Sequence, residues 1–177
     1  MNGPILETER LVLRPTSLDD FPRWCEMMAD ETAARFVGGV QSPPEVWRGL
    51  MGMAGAWSLT GVAMFSVIEK ASGQWVGRLG PWQPHGWPGC EIGWGLHPDA
   101  WGRGYAIEGA RAAMDYAFDV LGWDAVIHCI DPDNRPSEKV AERLGSRLEG
   151  PGRMPPPFAH VPVNIWGQSR EAWRAHR

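Results

Sequence analysis

Residues 98–106 read Pro-Asp-Ala-Trp-Gly-Arg-Gly-Tyr-Ala. They stand where a strand-like run, residues 91–97, hands over to a helix-like run, residues 105–121. The first N–H groups of a helix have no partner within the helix, and its dipole adds partial positive charge there. Two glycines let a ligand come close to the backbone and supply dihedrals that a side chain would forbid. The stretch therefore predicts an anion site, most simply for phosphate. A tight turn that binds nothing is the alternative. No Gly-x-x-x-x-Gly-Lys-Ser/Thr occurs, which excludes a nucleoside-triphosphatase loop. The dinucleotide pattern Gly-x-Gly-x-x-Gly is incomplete, because Ile107 occupies the third glycine position.

The rest of the chain sets this turn in a mixed α/β frame. Leu11 and Leu13 alternate in strand fashion, and Ser17 predicts a cap for a helix whose stripe is Leu18, Phe21, Cys25 and Met28. Pro43-Pro44 opens a second helix with Val46, Leu50, Met53 and Trp57 at helical spacing. Strands are predicted at residues 62–69, 74–82 and 91–97, with a Pro/Gly-rich loop at 81–89. The helix after the turn ends at Gly122, a strand follows at 124–130, and Asn134 caps a short helix ending at Gly145. Two further strands complete the order β-α-α-β-β-β-α-β-α-β-β, and a short terminal helix follows. With 177 residues and no repeat or linker, one domain over residues 1–177 is expected.

Composition narrows the function classes. The net charge is −4 without a basic block, which argues against a nucleic-acid partner. No apolar run approaches the roughly 18 residues of a membrane span, and no basic-then-apolar leader opens the sequence. Cys25, Cys90 and Cys129 are odd in number and scattered, as are the five histidines. They predict reduced thiols in a cytoplasmic protein with no metal site. Neither Cys90 nor Cys129 has the neighbouring His/Asp arrangement of an acyl-enzyme nucleophile.

Three motifs in order carry a family resemblance. Glu7-Thr8-Glu9-Arg10-Leu11-Val12-Leu13-Arg14-Pro15 opens the chain. Glu91-Ile92-Gly93-Trp94 leads to Trp101-Gly102-Arg103-Gly104-Tyr105-Ala106, and Asn134-Arg135-Pro136-Ser137 leads to Leu144-Gly145. On these residues the chain resembles the GNAT superfamily of acyl-CoA N-acyltransferases, and within it the RimJ/RimL-like branch of ribosomal-protein N-terminal acetyltransferases. The resemblance implies a mixed, mostly antiparallel sheet of about seven strands, splayed between the fourth and fifth, with helices on both faces. It implies acetyl-CoA as co-substrate, its diphosphate on the amides from Gly102 to Ala106, including those of Arg103, Gly104 and Tyr105. Trp101 stands where the family pattern has Gln or Arg. Pantetheine would run along Trp94, Gly95, Leu96 and His97, with Asn134 and Ser137 on the other wall.

For the chemistry, the resemblance makes Glu91 the candidate base and Ser137 the group near the departing sulfur. Many relatives carry a tyrosine acid where this chain has Ala141. A structural glutamate and a helix-capping serine are the alternatives to these roles. Phe36, Trp82 and Trp87 are expected to line the acceptor side, with Trp57, His85 and Phe158 as further candidates. The function implied is acetyl transfer to a primary amine, either a protein N-terminus or a small molecule. A noncatalytic acyl-CoA-binding module and an aminoglycoside-type acetyltransferase are the competing readings, and a homodimer is compatible with either.

Overall fold

The computed structural model describes residues 3–176. In chain order it contains β1 (Leu6–Glu7), β2 (Leu11–Arg14), α1 (Phe21–Ala29), α2 (Glu31–Ala34), α3 (Pro43–Thr60), β3 (Phe65–Glu69), β4 (Trp75–Trp82), β5 (Glu91–Leu96), α4 (Tyr105–Asp119), β6 (Ala125–Ile130), α5 (Arg135–Arg143), β7 (Arg147–Gly152), β8 (Val163–Ser169) and α6 (Arg170–His176). Short 3-10 turns at Leu18–Asp20 and Pro98–Ala100 precede α1 and α4. The sheet has eight strands in the order β1-β2-β3-β4-β5-β6-β8-β7. The strand beyond the expected seven is the two-residue β1, too short to show a periodicity. Every neighbouring pair is antiparallel except β5 and β6. Those two parallel strands are the fourth and fifth of the sequence reading, and they pair at a single position, Glu91 with Ile127. No described helix is long and apolar enough to cross a membrane.

Helices cover both faces because each carries one apolar stripe. On α3 the buried residues are Val46, Leu50, Met53 and Trp57, at the predicted spacing. Trp57 is thereby a core residue and not part of an acceptor wall; its indole N–H donates to the Met64 carbonyl at 3.1 Å. The α1 stripe differs from the expected one. Ser17 caps the 3-10 turn, so α1 starts only at Phe21 and buries Trp24, Met27 and Met28, while Leu18 stays exposed. Asp20, in that turn, accepts from Arg14, Ser66 and the Ser17 amide, which ties α1 to β2 and β3.

On the opposite face α4 packs against β4 and β5. Gly109 permits the close approach: a Cβ there would lie 2.5 Å from Leu79 Cδ2. Leu79, Ile92, Ala113 and Met114 are sealed between helix and sheet. Burying a side chain the size of Leu or Ile is worth about 1.5–3 kcal/mol. This packing fixes the start of α4 against the end of β5, where the glycine turn lies.

Candidate active site at the strand splay

The splay begins directly after Glu91. Ile127 N–H donates to the Cys90 carbonyl at 2.9 Å, and no further strand pairing follows. The β4–β5 register and the His97 N–H···Val76 carbonyl bond at 2.9 Å assign the amides of β5. In an antiparallel pair the hydrogen-bonded residues alternate. The N–H groups of Gly93, Gly95 and His97 thus serve β4, that of Ile92 turns to β6 at the Glu91–Ile127 bridge, and those of Trp94 and Leu96 face the gap. His128 of β6 fills its base: the imidazole bonds the Ile92 carbonyl through Nδ1 at 2.7 Å and the Ser146 hydroxyl through Nε2 at 2.9 Å. Burial pushes its pKa down to about 4. The ring is therefore neutral, with Nδ1–H donating to the carbonyl and Nε2 accepting from Ser146.

Across the gap, Trp94 joins the two walls. Its indole packs on His128 at a centroid distance of 4.9 Å and donates to Ser137 Oγ at 3.1 Å. Asn134 does the capping of α5, its side-chain oxygen accepting from the Ser137 amide at 3.3 Å. The Ser137 hydroxyl is consequently not used as a cap. It is presented to the gap from the first turn of α5.

The glycine turn is built around two left-handed residues, Gly102 with φ +72° and Gly104 with φ +80°. The first helical bond runs from Glu108 N–H to the Gly104 carbonyl at 3.1 Å. Among the described residues, nothing accepts from the amides of residues 102–107, including that of Ala106. Side chains brace the turn from outside. Arg10 donates through Nε to Glu108 at 2.7 Å and through Nη1 to the Arg103 carbonyl at 2.9 Å, and Thr8 donates to Glu108 at 2.6 Å. Glu69 accepts from the Tyr105 hydroxyl at 2.5 Å and pairs with Arg103 at 2.5 Å. Tyr105 thus contributes its amide to the turn while its ring is buried. Trp101 uses its indole N–H to cap the Leu96 carbonyl at 2.9 Å.

On the sheet face opposite α4, Glu91, Gly93 and Gly95 line up, as alternation requires. Glu91 is 6% exposed. Its Oε2 accepts from Trp87 Nε1 at 2.5 Å and its Oε1 from the Cys129 amide at 3.1 Å. Burial outweighs these donors and the nearby Arg78 charge, and the pKa rises to about 7. Gly93 leaves the space that the carboxylate and a methionine share: a Cβ there would lie 3.5 Å from Glu91 Oε1 and 2.5 Å from Met64 Cε. Burial also pushes the thiols of Cys90 and Cys129 up, so both stay protonated.

One assignment from sequence needs correction. His97 does not face the gap: its amide serves β4, Nδ1 accepts from the Asp99 amide at 3.2 Å, and Nε2 lies 3.6 Å from Glu26 of α1. Trp87 reaches the site as the donor to Glu91 and stacks edge-on against Trp82 at 6.4 Å. Phe36 lies under the Arg35 guanidinium at 4.7 Å, next to Val37, which approaches Gly95. His85 and Phe158 sit on exposed loops. The sequence reading passed over His128 and Arg78, because a buried histidine and a strand arginine carry no motif. A concavity lined by Gly145, Glu149, Gly167 and His176 contains none of these side chains.

An acyl-CoA-type transferase fold is defined by this sheet, its splay and the glycine turn beside it. The family model for the acetyltransferase (GNAT) domain matches residues 10–147. The uncharacterized N-acetyltransferase p20 of Bacillus licheniformis is 31% identical over 150 residues, covering 82% of this chain and 83% of that protein. The acetyltransferase of Agrobacterium tumefaciens str. C58 superposes with a TM-score of 0.84 at 30% identity, over 96% of each chain. RimL, the ribosomal L7/L12 alpha-N-protein acetyltransferase, shares the fold with a TM-score of 0.75 over 94% of each chain, at 17% identity. The chain belongs to the GNAT acetyltransferase family and is an enzyme of the N-acetyltransferase class.

Proposed function

We propose that this enzyme transfers the acetyl group of acetyl-CoA to a primary amine by direct attack in a ternary complex. The observation that carries the reading is the placement of Glu91 at the last paired position before the splay, buried and held by two donors. The unpaired amides of residues 102–107 suit the coenzyme diphosphate. The inward N–H groups of Trp94 and Leu96 suit a pantetheine amide and the thioester oxygen as it gains charge.

In this reading the Glu91 carboxylate takes a proton from the ammonium, directly or through water. The amine nitrogen then bonds to the thioester carbon, and the carbon–sulfur bond breaks as the tetrahedral centre collapses. The sulfur leaves as a thiolate that accepts a hydrogen bond from the Ser137 hydroxyl, fixed by the Trp94 indole, and takes up, through water, the second proton shed by the new amide nitrogen. Both a small amine and a protein N-terminus fit this chemistry, and the RimJ/RimL-like branch adds weight to the second. A polycationic acceptor is disfavoured, because Arg78 holds a positive charge on the acceptor face. Three free thiols fit a reducing, cytoplasmic setting.

Thiol release from acetyl-CoA against a panel of amines and short peptides tests the proposal, with thermal shifts by acetyl-CoA alongside. Turnover with at least one amine is expected. Stabilisation without turnover on any acceptor would make the protein a binding module.

A further inference from the structure

Among the described residues Arg78 makes no hydrogen bond or ion pair with a carboxylate, although the Glu91 charge acts on it across the same sheet face. It stands on β4 opposite Gly95, and Gly80 and Trp82 stand opposite Gly93 and Glu91. Directly opposed residues share a sheet face, so Arg78 and Glu91 project to the same side. The Arg78 guanidinium lies over the Trp24 ring at 5.1 Å, which occupies its flat face. Its edge is unused. Nε is buried with no acceptor, and Nη1 meets only the Met64 sulfur at 4.0 Å. No described carboxylate forms an ion pair with it. Asp20, the nearby acid on β3's side, is already occupied by Arg14 and Ser66.

Met64 connects the two charged groups. Its Cε lies over Gly93 beside Glu91 Oε1, and its sulfur lies against Arg78. A methionine is a flexible filler that yields to a ligand at small cost. The site therefore presents a base at one end, a displaceable thioether in the middle and a guanidinium with a free edge at the other. A buried N–H without an acceptor is costly to keep, and a guanidinium edge matches an oxyanion in bidentate fashion.

We propose that Arg78 anchors an oxyanion on the acceptor, so that the substrate is an amine carrying a carboxylate or phosphate group. This rests on the reading of Glu91 as the base for the amine. It selects, among the acceptors above, small amino-acid-like amines over neutral amines.

The test is thiol release from acetyl-CoA with the common amino acids, each beside its methyl ester, and with phosphoethanolamine beside ethanolamine. The wild-type chain is compared with R78Q and R78K. The expected result is an acid-over-ester preference in kcat/KM of at least about thirtyfold, lost in R78Q and partly kept in R78K. A preference confined to phosphoethanolamine supports the same anchor with phosphate as its ligand. Equal rates for every anionic amine and its neutral counterpart would overturn the proposal, as would an unchanged ratio in R78Q. Thermal shifts of the wild-type chain by N-acetyl amino acids and their methyl esters give a readout that needs neither turnover nor a folded variant. Stabilisation by the acids alone supports the anchor, and equal stabilisation overturns it. Acid-selective stabilisation without any thiol release would sink the catalytic reading and leave the anion site standing.

Discussion

Trp87 and Glu91 are four residues apart, and the indole N–H of the first donates to the carboxylate of the second at 2.5 Å. The loop before β5 therefore holds the candidate base from one side while the Cys129 amide of β6 holds it from the other. Base, loop and splay form one unit.

Replacing Glu91 with Gln keeps the size and one of the two accepted hydrogen bonds, since its amide nitrogen cannot accept, and removes the proton acceptor. Turnover is expected to fall by about two orders of magnitude or more, with the acetyl-CoA thermal shift unchanged. Because the carboxylate is the active form, wild-type kcat/KM rises with pH through about 7. The variant lacks that limb. A pH–rate profile of E91Q that still bends there would remove Glu91 from the mechanism.

Trp87→Phe deletes a donor that favours the ionised carboxylate. The Glu91 pKa then moves further up, and the acid limb of the wild-type profile shifts to higher pH. The measurement is the midpoint of kcat/KM against pH, and an unmoved midpoint counts against the indole's part in tuning the base.

Stability should respond to pH through two buried groups that oppose one another. Glu91 holds its proton up to about 7, against an ordinary value of 4.5, so its contribution is full below 4.5 and is lost as pH rises through 7. His128 has a depressed pKa of about 4 against 6.5, so its contribution is full above 6.5 and is lost as pH falls through 4. Between 4.5 and 6.5 the slopes cancel in the wild-type chain. E91Q exposes the His128 slope alone, and its stability against urea should rise by on the order of 2–3 kcal/mol across that window. A flat E91Q curve would contradict the buried neutral imidazole.

Gly104→Ala tests the glycine turn. A Cβ at Gly104 would meet only Arg10 Nη2, at 3.5 Å, so the penalty is conformational. Holding φ at +80° with alanine costs about 1–2 kcal/mol. If the turn relaxes to escape that strain, the amides lose their alignment. Calorimetry should show weaker coenzyme A binding, with kcat at saturation less affected.

Ser137→Ala separates positioning from chemistry. Asn134 still caps α5, so the fold is kept. Loss of one hydrogen bond to the departing sulfur predicts a kcat lower by roughly fivefold to tenfold, with KM for acetyl-CoA little changed. An unaltered kcat would reduce Ser137 to a partner for Trp94.

Elements with a local cause were legible in the chain. The glycine turn, the Asn134 cap and the Val46, Leu50, Met53, Trp57 stripe each follow from rules that operate within a few residues. The start of α1 was misplaced because Ser17 caps a 3-10 turn that pattern cannot distinguish from a helix. The site was legible only where a motif marked it. His128 sits in the gap between two strands and bonds Ile92, 36 residues away in sequence. Arg78 matters through a buried Nε–H that finds no acceptor in the folded chain. Neither property exists until the sheet is assembled, and His97 was misassigned for the same reason: its partners, Val76 and Glu26, come from distant elements.

The brace of Thr8 and Arg10 on Glu108 and Arg103 joins the opening hairpin to a turn nearly a hundred residues later. A cut or a fusion made beside Thr8 or Arg10 would disturb the scaffold that aligns the amides of residues 102–107. Preparations altered there are then not interchangeable when ligand affinities at the turn are compared.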